Sequence, residues 1–262
     1  MAVGAITPDW SSEAAQDGHP SQSKSALGGW QFANVKDGTF AEYVHVTDAD
    51  GNLAHIPGAV SAHEALYTTD MMSTGFAAAE NAAIPIGGTV AVFAQGPVGL
   101  MATKGASLQG AGTIIAVETV PKRQELAREY GADHVVDFGD TDAVEESMEL
   151  TDGVGVDAAI EALGSDQTLQ DAIKVVKPGG TVSNVGYHGD GEYRHIPREE
   201  WGVGMAEIDI VTDLCPGGRL RIKRLLRLLA NDRVDPTKMT THEFEFDEIE
   251  EAFQLMDEKR TL

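Results

Sequence analysis

The chain has 262 residues, and its 42 acidic and 19 basic side chains give a formal net charge of −23 at pH 7. A charge of this sign repels nucleic acids and anionic membranes, so neither is expected as a partner. Hydrophobic residues make up 42% of the chain and 29 residues are glycine, which excludes a disordered or collagen-like protein and favours one or two α/β domains without a membrane span.

Residues 1–80 contain little regular periodicity. Residues 8–29 are rich in Ser, Gly, Asp, Gln and Pro, a composition typical of a surface loop. Residues 40–46 alternate between apolar and polar side chains, which predicts a half-buried strand. Residues 61–80 have a helical composition, with a boundary near Thr68 and Thr69.

From residue 89 onward, short apolar segments alternate with helical ones. This alternation predicts a parallel sheet that is covered by helices on both faces. Pro97 suits the first turn of a helix, and Gly131 suits the end of one. The predicted strands are 89–94, 113–117, 134–138, 156–162, 181–185 and 207–211, and the predicted helices between them are 97–110, 121–130, 143–150 and 166–176. After residue 217 we expect amphipathic helices at 219–230 and 247–256 and a short strand near 242–246.

The first of these strands leads directly into a glycine-containing turn. The sequence Ala94-Gln95-Gly96-Pro97-Val98-Gly99 is a variant of the G-x-G-x-x-G dinucleotide fingerprint in which alanine replaces the first glycine. Gly96 lets a pyrophosphate approach the backbone, and Gly99 lets the helix pack closely on the sheet. The amides at the helix start then face the phosphates. Residues 96–99 are therefore the predicted phosphate-binding turn.

An acidic residue follows at the expected distance. Glu118 lies 19 residues after Gly99, at the end of the second strand. A carboxylate there accepts hydrogen bonds from both ribose hydroxyls of NAD and repels the 2′-phosphate of NADP. A tight turn without a ligand and a solvated acid at a strand end explain each feature singly. The strand-helix-strand frame and both features together favour a dinucleotide site.

Four segments in this order and at compatible spacing, 94–100, 116–123, 153–164 and 176–182, resemble the zinc-containing medium-chain dehydrogenases. Segments 29–46, 48–57, 70–76 and 214–221 are similar to the bacterial and archaeal secondary alcohol dehydrogenases of that family. The resemblance covers about residues 3–260. It implies an α/β fold with a Rossmann-type doubly wound parallel sheet and remnants of a GroES-like β-rich catalytic domain. The implied domains are a partial GroES-like domain at 1–70, an NAD-binding Rossmann domain at 71–214 and a return to the catalytic domain at 215–262.

The family transfers hydride between an alcohol and a nicotinamide, with a zinc ion that stabilises the developing alkoxide. For this chain the resemblance implies a zinc-dependent alcohol dehydrogenase acting on a small alcohol or ketone, most simply a secondary alcohol, as a homodimer or homotetramer. The resemblance assigns one zinc ligand, Asp70, to this chain, and it implies that the other ligands and the proton relay lie upstream of Met1. His63 and Glu64 look like the missing His-Glu pair but fall on a helix seven residues before Asp70, so we interpret them as structural. The alternative is a dinucleotide-binding fragment or assembly module without turnover.

The resemblance also bears on the coenzyme. NADP-dependent members have small residues and an arginine where this chain has Glu118, Thr119 and Val120, so NAD is expected and NADP is less favoured. Arg123 matches a basic residue that contacts the adenosine ribose in NAD-using members, although a surface charge explains it nearly as well. Lys122 and Arg123 together are able to rescue some NADP binding.

Further site residues follow from the resemblance. Tyr187 and Lys259 are expected at the cofactor, and Trp30, Tyr187 and Cys215 in a pocket for a small alcohol, ketone or aldehyde. His188 follows Tyr187 and faces either the cleft or the solvent. The basic run within 219–227 is interpreted as a solvated or subunit-facing helix, because the chain as a whole is strongly acidic.

Cysteine usage and charge point to the compartment. Cys215 is the only cysteine, so neither an intramolecular disulfide nor a zinc site with several cysteines can form within the chain. Residues 1–4 show no start of a secretory signal, and we expect a reducing cytoplasm. The acidity fits an ordinary acidic enzyme or adaptation to high salt, where the Debye length falls to roughly 3 Å at 1 M. The even spread of acidic residues favours the second interpretation.

Overall fold

The computed structural model describes residues 1–23 and 38–258. Near the N-terminus a short antiparallel pair joins β1 (Ala2–Val3) to β2 (Leu53–Ala54). Two single-turn helices flank it, α1 (Glu13–Gln16) and α2 (Ala49–Asn52). The side chain of Ser12 accepts a hydrogen bond from the amide of Ala15 and so satisfies a free donor at the start of α1.

Six parallel strands form the central sheet. The strand order is β5-β4-β3-β6-β7-β8, so the direction of progression along the sheet reverses between β3 and β6. In doubly wound sheets this switch point opens the crevice in which a dinucleotide binds. The strands are β3 (Thr89–Phe93), β4 (Thr113–Val117), β5 (His134–Val136), β6 (Val156–Glu161), β7 (Val176–Asn184) and β8 (Asp209–Thr212).

The helices begin and end largely where proline, glycine and polar caps predict. Pro97 and Pro121 open two of them, and Gly110 and Gly131 end the same two with φ of 95° and 116°. The helices are α3 (Ala62–Leu66), α4 (Met71–Asn81), α5 (Pro97–Gln109), α6 (Pro121–Tyr130), α7 (Ala143–Glu149), α8 (Asp166–Val175), α9 (Arg219–Ala230) and α10 (Ile249–Asp257).

The closest helix contact lies beside the switch point. A Cβ atom added to Gly75 of α4 would lie 2.5 Å from the carbonyl oxygen of Val98 and 2.6 Å from Cβ of Met101 on α5. A Cβ atom on Gly105 would lie 3.0 Å from Cβ of Ala79. Real Cβ contacts are essentially never as short as those at Gly75 and rarely as short as that at Gly105. These two glycines therefore let α4 and α5 pack backbone to backbone, which fixes the start of α5.

Apolar side chains fill both faces of the sheet. Alternate residues of β3 point to opposite faces, so Val90 and Val92 join one buried cluster and Ala91 and Phe93 the other. The first cluster also contains Ala54 of β2 and the buried face of α9. The guanidinium of Arg221 on α9 binds both carboxylate oxygens of Glu80 on α4 at 2.8 Å. The N-terminal pair, α4 and α9 therefore share one core with the sheet.

Two predicted strands are wrong. Residues 40–46 contain no regular element, and Phe40 and Tyr43 are 68% and 89% exposed. Residues 242–245 are likewise irregular, and a 3-10 turn (Phe246–Glu248) and α10 follow. Alternation produces a strand only where another strand supplies hydrogen bonds, and none of the described residues pairs with either segment. None of the described helices is long and apolar enough to cross a membrane. The domain boundaries stay predictions, although α4 begins at Met71.

Candidate functional site

The turn between β3 and α5 has the shape expected for a phosphate-binding loop. Ala94 adopts φ of 69°, a left-handed conformation, while its amide donates to the carbonyl of Val117 at 3.1 Å. A Cβ atom on Gly99 would lie 2.0 Å from the carbonyl oxygen of Ala94, so only glycine fits there. A Cβ atom on Gly96 would meet nothing within 4 Å. The space above Gly96, at the start of α5, is therefore open to an anion.

Gln95 fixes the same turn from below, and sequence reasoning missed this role. The side chain is fully buried, its Nε2 donates to the carbonyl of Val92 at 3.0 Å, and its Oε1 accepts from the hydroxyl of Thr103 at 2.8 Å. A polar residue between an apolar strand and an apolar helix was the available signal. Its hydrogen bonds connect the end of β3 to the second turn of α5.

Glu118 lies at the end of β4 and is almost completely buried, with 4% of its surface exposed. Oε2 accepts from the amide of Gln95 at 2.9 Å, and Oε1 accepts from the amides of Thr119 and Val120 at 2.8 and 3.0 Å. The Nη1 atom of Arg123 lies 3.5 Å from Oε2. The structure thus brings Glu118 and Arg123 beside the predicted phosphate-binding turn, and the hydrogen bonds of the Glu118 carboxylate hold the end of β4 against that turn.

A second buried carboxylate lies at the end of β6. Glu161 is 0% exposed, and its Oε1 accepts from the amides of Leu163 and Gly164 at 2.9 and 2.8 Å and from the hydroxyl of Thr168 at 2.7 Å. Its Oε2 has no hydrogen-bond partner among the described residues and lies 3.7 Å from Nε2 of His188. An acid ending an apolar strand was the sequence signal, and it was not used.

Tyr187 and His188 border a cavity of about 790 Å³ at the carboxyl ends of β7 and β8. Tyr187 is 79% exposed and the side chain of His188 is 16% exposed, so His188 is mostly buried and not a solvent-facing loop residue. Residues 18–22 of the N-terminal segment and Asp213 after β8 also line this cavity. Burial raises the pKa of the Asp213 carboxyl, although the amide of Leu214 and the side chain of Asn81 donate to it.

Asp70 and Cys215, predicted as a zinc ligand and a pocket residue, lie close to each other, and neither lines this cavity. Oδ1 of Asp70 accepts from the hydroxyl of Thr74 at 2.8 Å. Cys215 is 6% exposed, and burial first, with the negative charge of Asp70 adding to it, raises the pKa of the thiol to about 12. Trp30 and Lys259 lie outside the described residues.

A catalytic zinc ion needs three protein ligands. In residues 1–23 and 38–258 no three His, Cys, Asp or Glu side chains are placed to hold a metal ion together. The described residues therefore do not fit a zinc ion, and Asp70 is the one ligand that the resemblance assigns to them.

His63 and Glu64 have structural partners. Glu64 accepts hydrogen bonds from the amide and hydroxyl of Ser61 and completes a capping box at the start of α3. Those bonds lower the pKa of the Glu64 carboxyl. Nε2 of His63 lies 2.8 Å from the hydroxyl of Thr240, which also bonds to Tyr67. Both side chains thus hold α3 in place.

Comparison with known proteins gives matches of sequence and of structure. Residues 97–231 match the family model described as zinc-binding dehydrogenase. The chain is 52% identical over 260 residues to the NADP-dependent isopropanol dehydrogenase of Thermoanaerobacter brockii, covering 99% of this chain and 74% of that protein. It is 46% identical over 274 residues to an alcohol dehydrogenase of Cupriavidus necator, with the same two coverages.

Solved structures give the same picture. The alcohol dehydrogenase of Thermus sp. ATN1 superposes with a TM-score of 0.89 at 27% identity and covers 100% of this chain and 76% of that one. A zinc-dependent alcohol dehydrogenase of Streptococcus pneumonia superposes with a TM-score of 0.85 at 30% identity, covering 98% of this chain and 72% of that one.

Proposed function

Because this chain belongs to the zinc-binding dehydrogenase family, we propose that it binds NAD in the crevice at the switch point and takes part in hydride transfer between that cofactor and a small alcohol or ketone. The observation that carries the proposal is the turn from Ala94 to Gly99, in which the backbone is tightly constrained except above Gly96. An anion at this place meets the amide ends of α5 and the positive end of its dipole.

The preference for NAD over NADP rests on Glu118. Three backbone amides hold its carboxylate at the end of β4, where the ribose of the adenosine half lies in a Rossmann crevice. A 2′-phosphate there meets a fixed negative charge in a partly desolvated place. The relatives named NADP-dependent isopropanol dehydrogenases favour the opposite choice. Arg123, 3.5 Å from Glu118, is the group that would pair with a 2′-phosphate if NADP binds.

The substrate we propose is a small secondary alcohol or its ketone, in keeping with the relatives named for isopropanol. Tyr187 borders the cavity after β7, and the buried Cys215 lies between Leu214 and Pro216, which also line it. In the family, zinc stabilises the alkoxide during hydride transfer. Since the described residues do not fit a zinc site, we assign this chain's residues to binding and orienting the cofactor.

A second candidate function is a dinucleotide-binding module without turnover. The absence of three convergent metal-binding side chains in the described part of the chain favours it. Hydride transfer requires a group that stabilises the alkoxide, whereas dinucleotide binding requires only the turn, the start of α5 and Glu118. The two candidates therefore agree on cofactor binding and differ on catalysis.

We further propose a homodimer or homotetramer in the cytoplasm, adapted to high salt. β8 is the edge strand of the sheet and pairs with one neighbour among the described strands. Ile210 on β8 is 38% exposed, and the nearby Trp201 and Met205 are 37% and 76% exposed. An exposed edge strand with apolar neighbours is a surface that a second copy covers by strand pairing. Sedimentation equilibrium at low and molar KCl measures the oligomer directly.

Fluorescence titration with NADH and NADPH tests cofactor binding. Propan-2-ol oxidation and zinc content, measured on the same preparation, test catalysis. Binding without turnover and without zinc supports the module, whereas turnover with stoichiometric zinc supports the dehydrogenase. Binding of neither cofactor removes both candidates.

A further inference from the structure

Glu161 lacks a role in the site as described so far, although it lies at the switch point. It ends β6, and the turn that carries Gly96 follows the neighbouring β3. The amide of Ala162, the next residue, donates to the carbonyl of Phe93 at 3.2 Å. In a doubly wound sheet the adenosine half of a dinucleotide lies over one set of strands and the other mononucleotide over the second set. Glu118 lies on the first set and Glu161 on the second.

Glu161 connects two loops, one through its side chain and one through its backbone. Its Oε1 holds the loop after β6 through the amides of Leu163 and Gly164. Its backbone carbonyl accepts from the amides of Val185 and Gly186, which begin the loop after β7. A Cβ atom on Gly186 would lie 2.1 Å from Oε2 of Glu161, so the two loops leave no spare space around this oxygen.

The remaining oxygen faces a histidine. Oε2 of Glu161 is buried without a hydrogen bond to any described residue, and Nε2 of His188 lies 3.7 Å away. Nε2 also lies 2.8 Å from Oδ1 of Asn184, whose Nδ2 donates to the carbonyl of Gly186. Both oxygens around Nε2 are acceptors, so this nitrogen carries a proton. An isolated buried carboxylate is costly, and His188 is the one basic side chain within 4 Å of Glu161 in the described part of the chain.

The loop that this pair fixes carries Tyr187. A Cβ atom on Gly164 would lie 2.2 Å from the carbonyl oxygen of Tyr187, so the loops after β6 and β7 touch through their backbones. Tyr187 and His188 border the cavity beside the second half of the crevice. His188 is therefore part of the wall of this cavity, beside the loop of Tyr187 and on the side of the sheet where the nicotinamide half of a dinucleotide is proposed to bind.

We infer that Glu161 is a positioning residue for the nicotinamide half of the dinucleotide, and that it acts by holding the Nε2-protonated imidazole of His188 beneath the loop of Tyr187. This inference rests on the proposed dinucleotide function. It assigns Glu161 no contact with the cofactor. Removal of the Oε2 charge affects ligands that contain the nicotinamide half and leaves the binding of the adenosine half unchanged.

The experiment compares NADH with ADP, which lacks the nicotinamide riboside. Glu161→Gln keeps the three acceptor bonds of Oε1 but replaces Oε2 with a donor that opposes Nε2 of His188. We expect this variant and His188→Ala each to weaken NADH binding about threefold to tenfold, because both remove the attraction between the Oε2 charge and Nε2 of His188, with ADP affinity unchanged. In the double variant the loss equals that of either single variant, because both changes break one coupled unit.

Thr168→Val is the matched control. It removes the bond from the Thr168 hydroxyl to Oε1 and leaves Oε2 facing His188, so it lowers the melting temperature without changing the NADH-to-ADP affinity ratio. Nitrogen-15 spectra of histidine-labelled protein, with the His188 signal identified by its loss in His188→Ala, report the tautomer. We expect protonation at Nε2 in the wild type and in Thr168→Val, and a changed tautomer ratio in Glu161→Gln.

Two results overturn the inference and leave the proposed function intact. One is additive losses in the double variant, and the other is an equal weakening of NADH and ADP, which indicates a purely structural role. A wild-type chain that binds neither ligand refutes the proposed function and the binding part of the inference together. In that case an unchanged His188 tautomer in Glu161→Gln also refutes the positioning part.

Discussion

Replacing Glu118 with serine is expected to narrow the proposed preference for NADH over NADPH. At a separation of about 4 Å and an effective dielectric constant of about 20, two unit charges repel by roughly 4 kcal/mol. Arg123 lies 3.5 Å from the carboxylate and offsets part of this repulsion, and solvent screens more. If roughly half survives, the wild type discriminates by about 2 kcal/mol, or about thirtyfold in Kd. In Glu118→Ser the two dissociation constants approach each other.

The same substitution carries a cost in stability. Glu118 accepts three backbone hydrogen bonds while 4% exposed, and serine is too short to replace them all. Loss of these acceptors destabilises the fold by roughly 1–3 kcal/mol. Thermal melts therefore accompany the titrations, and Glu118→Gln, which keeps one acceptor oxygen at full length, separates the effect of charge from that of folding.

Fluorescence titration with NADH and NADPH measures the effect, and Glu125→Ser is the control. Glu125 is an exposed acid on α6, so its loss changes the net charge equally without touching the crevice. The reasoning is refuted if the wild type binds NADPH more tightly than NADH, or if Glu125→Ser narrows the gap as much as Glu118→Ser does.

Three further outcomes follow from the structure. Gly96→Ala is expected to have the melting temperature of the wild type and to bind NADH at least tenfold more weakly. Gly99→Ala is expected to lose stability, since its Cβ atom would lie 2.0 Å from the carbonyl oxygen of Ala94. Equal stability of the two variants contradicts this reasoning. The melting temperature should rise from low to multimolar KCl, because a net charge of −23 repels itself less as screening grows; a flat or falling curve argues against salt adaptation. Burial raises the pKa of Asp157, but its bonds to Lys177 and to the amide of Thr89 outweigh burial and lower the pKa overall. The ionised carboxylate therefore stabilises the fold above the unfolded pKa of about 4, and this stabilisation is lost as the pH falls through the lower folded pKa. Asp157→Asn should therefore lower the free energy of unfolding by roughly 1 kcal/mol at pH 7. It should also reduce the fall in melting temperature at acid pH, and an unchanged fall excludes this role.

Local sequence signals predicted the strands and helices of the α/β fold because each of these elements is specified within a few residues. Apolar runs marked the strands, and Pro97 and Gly131 marked the helix ends. The six parallel strands and the family are confirmed. The strand at 40–46 was wrong because alternation does not reveal whether another strand is available to pair.

Buried polar residues were harder to predict. Glu118 was recognised because a fingerprint assigns it a ligand, but its three amide partners were not foreseen. Gln95 and Glu161 were missed because their partners lie elsewhere in the chain. Thr103 of α5 bonds to Gln95, whereas Glu161 contacts Thr168 of α8 and His188 in the loop after β7. The role of a buried polar side chain depends on the hydrogen-bonding groups that the fold places beside it.

Cofactor binding and metal binding make different demands on a chain. The phosphate-binding turn, α5 and Glu118 all belong to one continuous strand-helix-strand unit, so a short stretch of sequence specifies them together. A catalytic zinc ion needs three side chains that converge from separate segments, and Asp70 is also explained locally, since it precedes α4 and binds Thr74 one turn later. The proposed dinucleotide binding therefore does not require a metal ion, and Asp70→Ala should leave NADH binding intact whatever it does to catalysis.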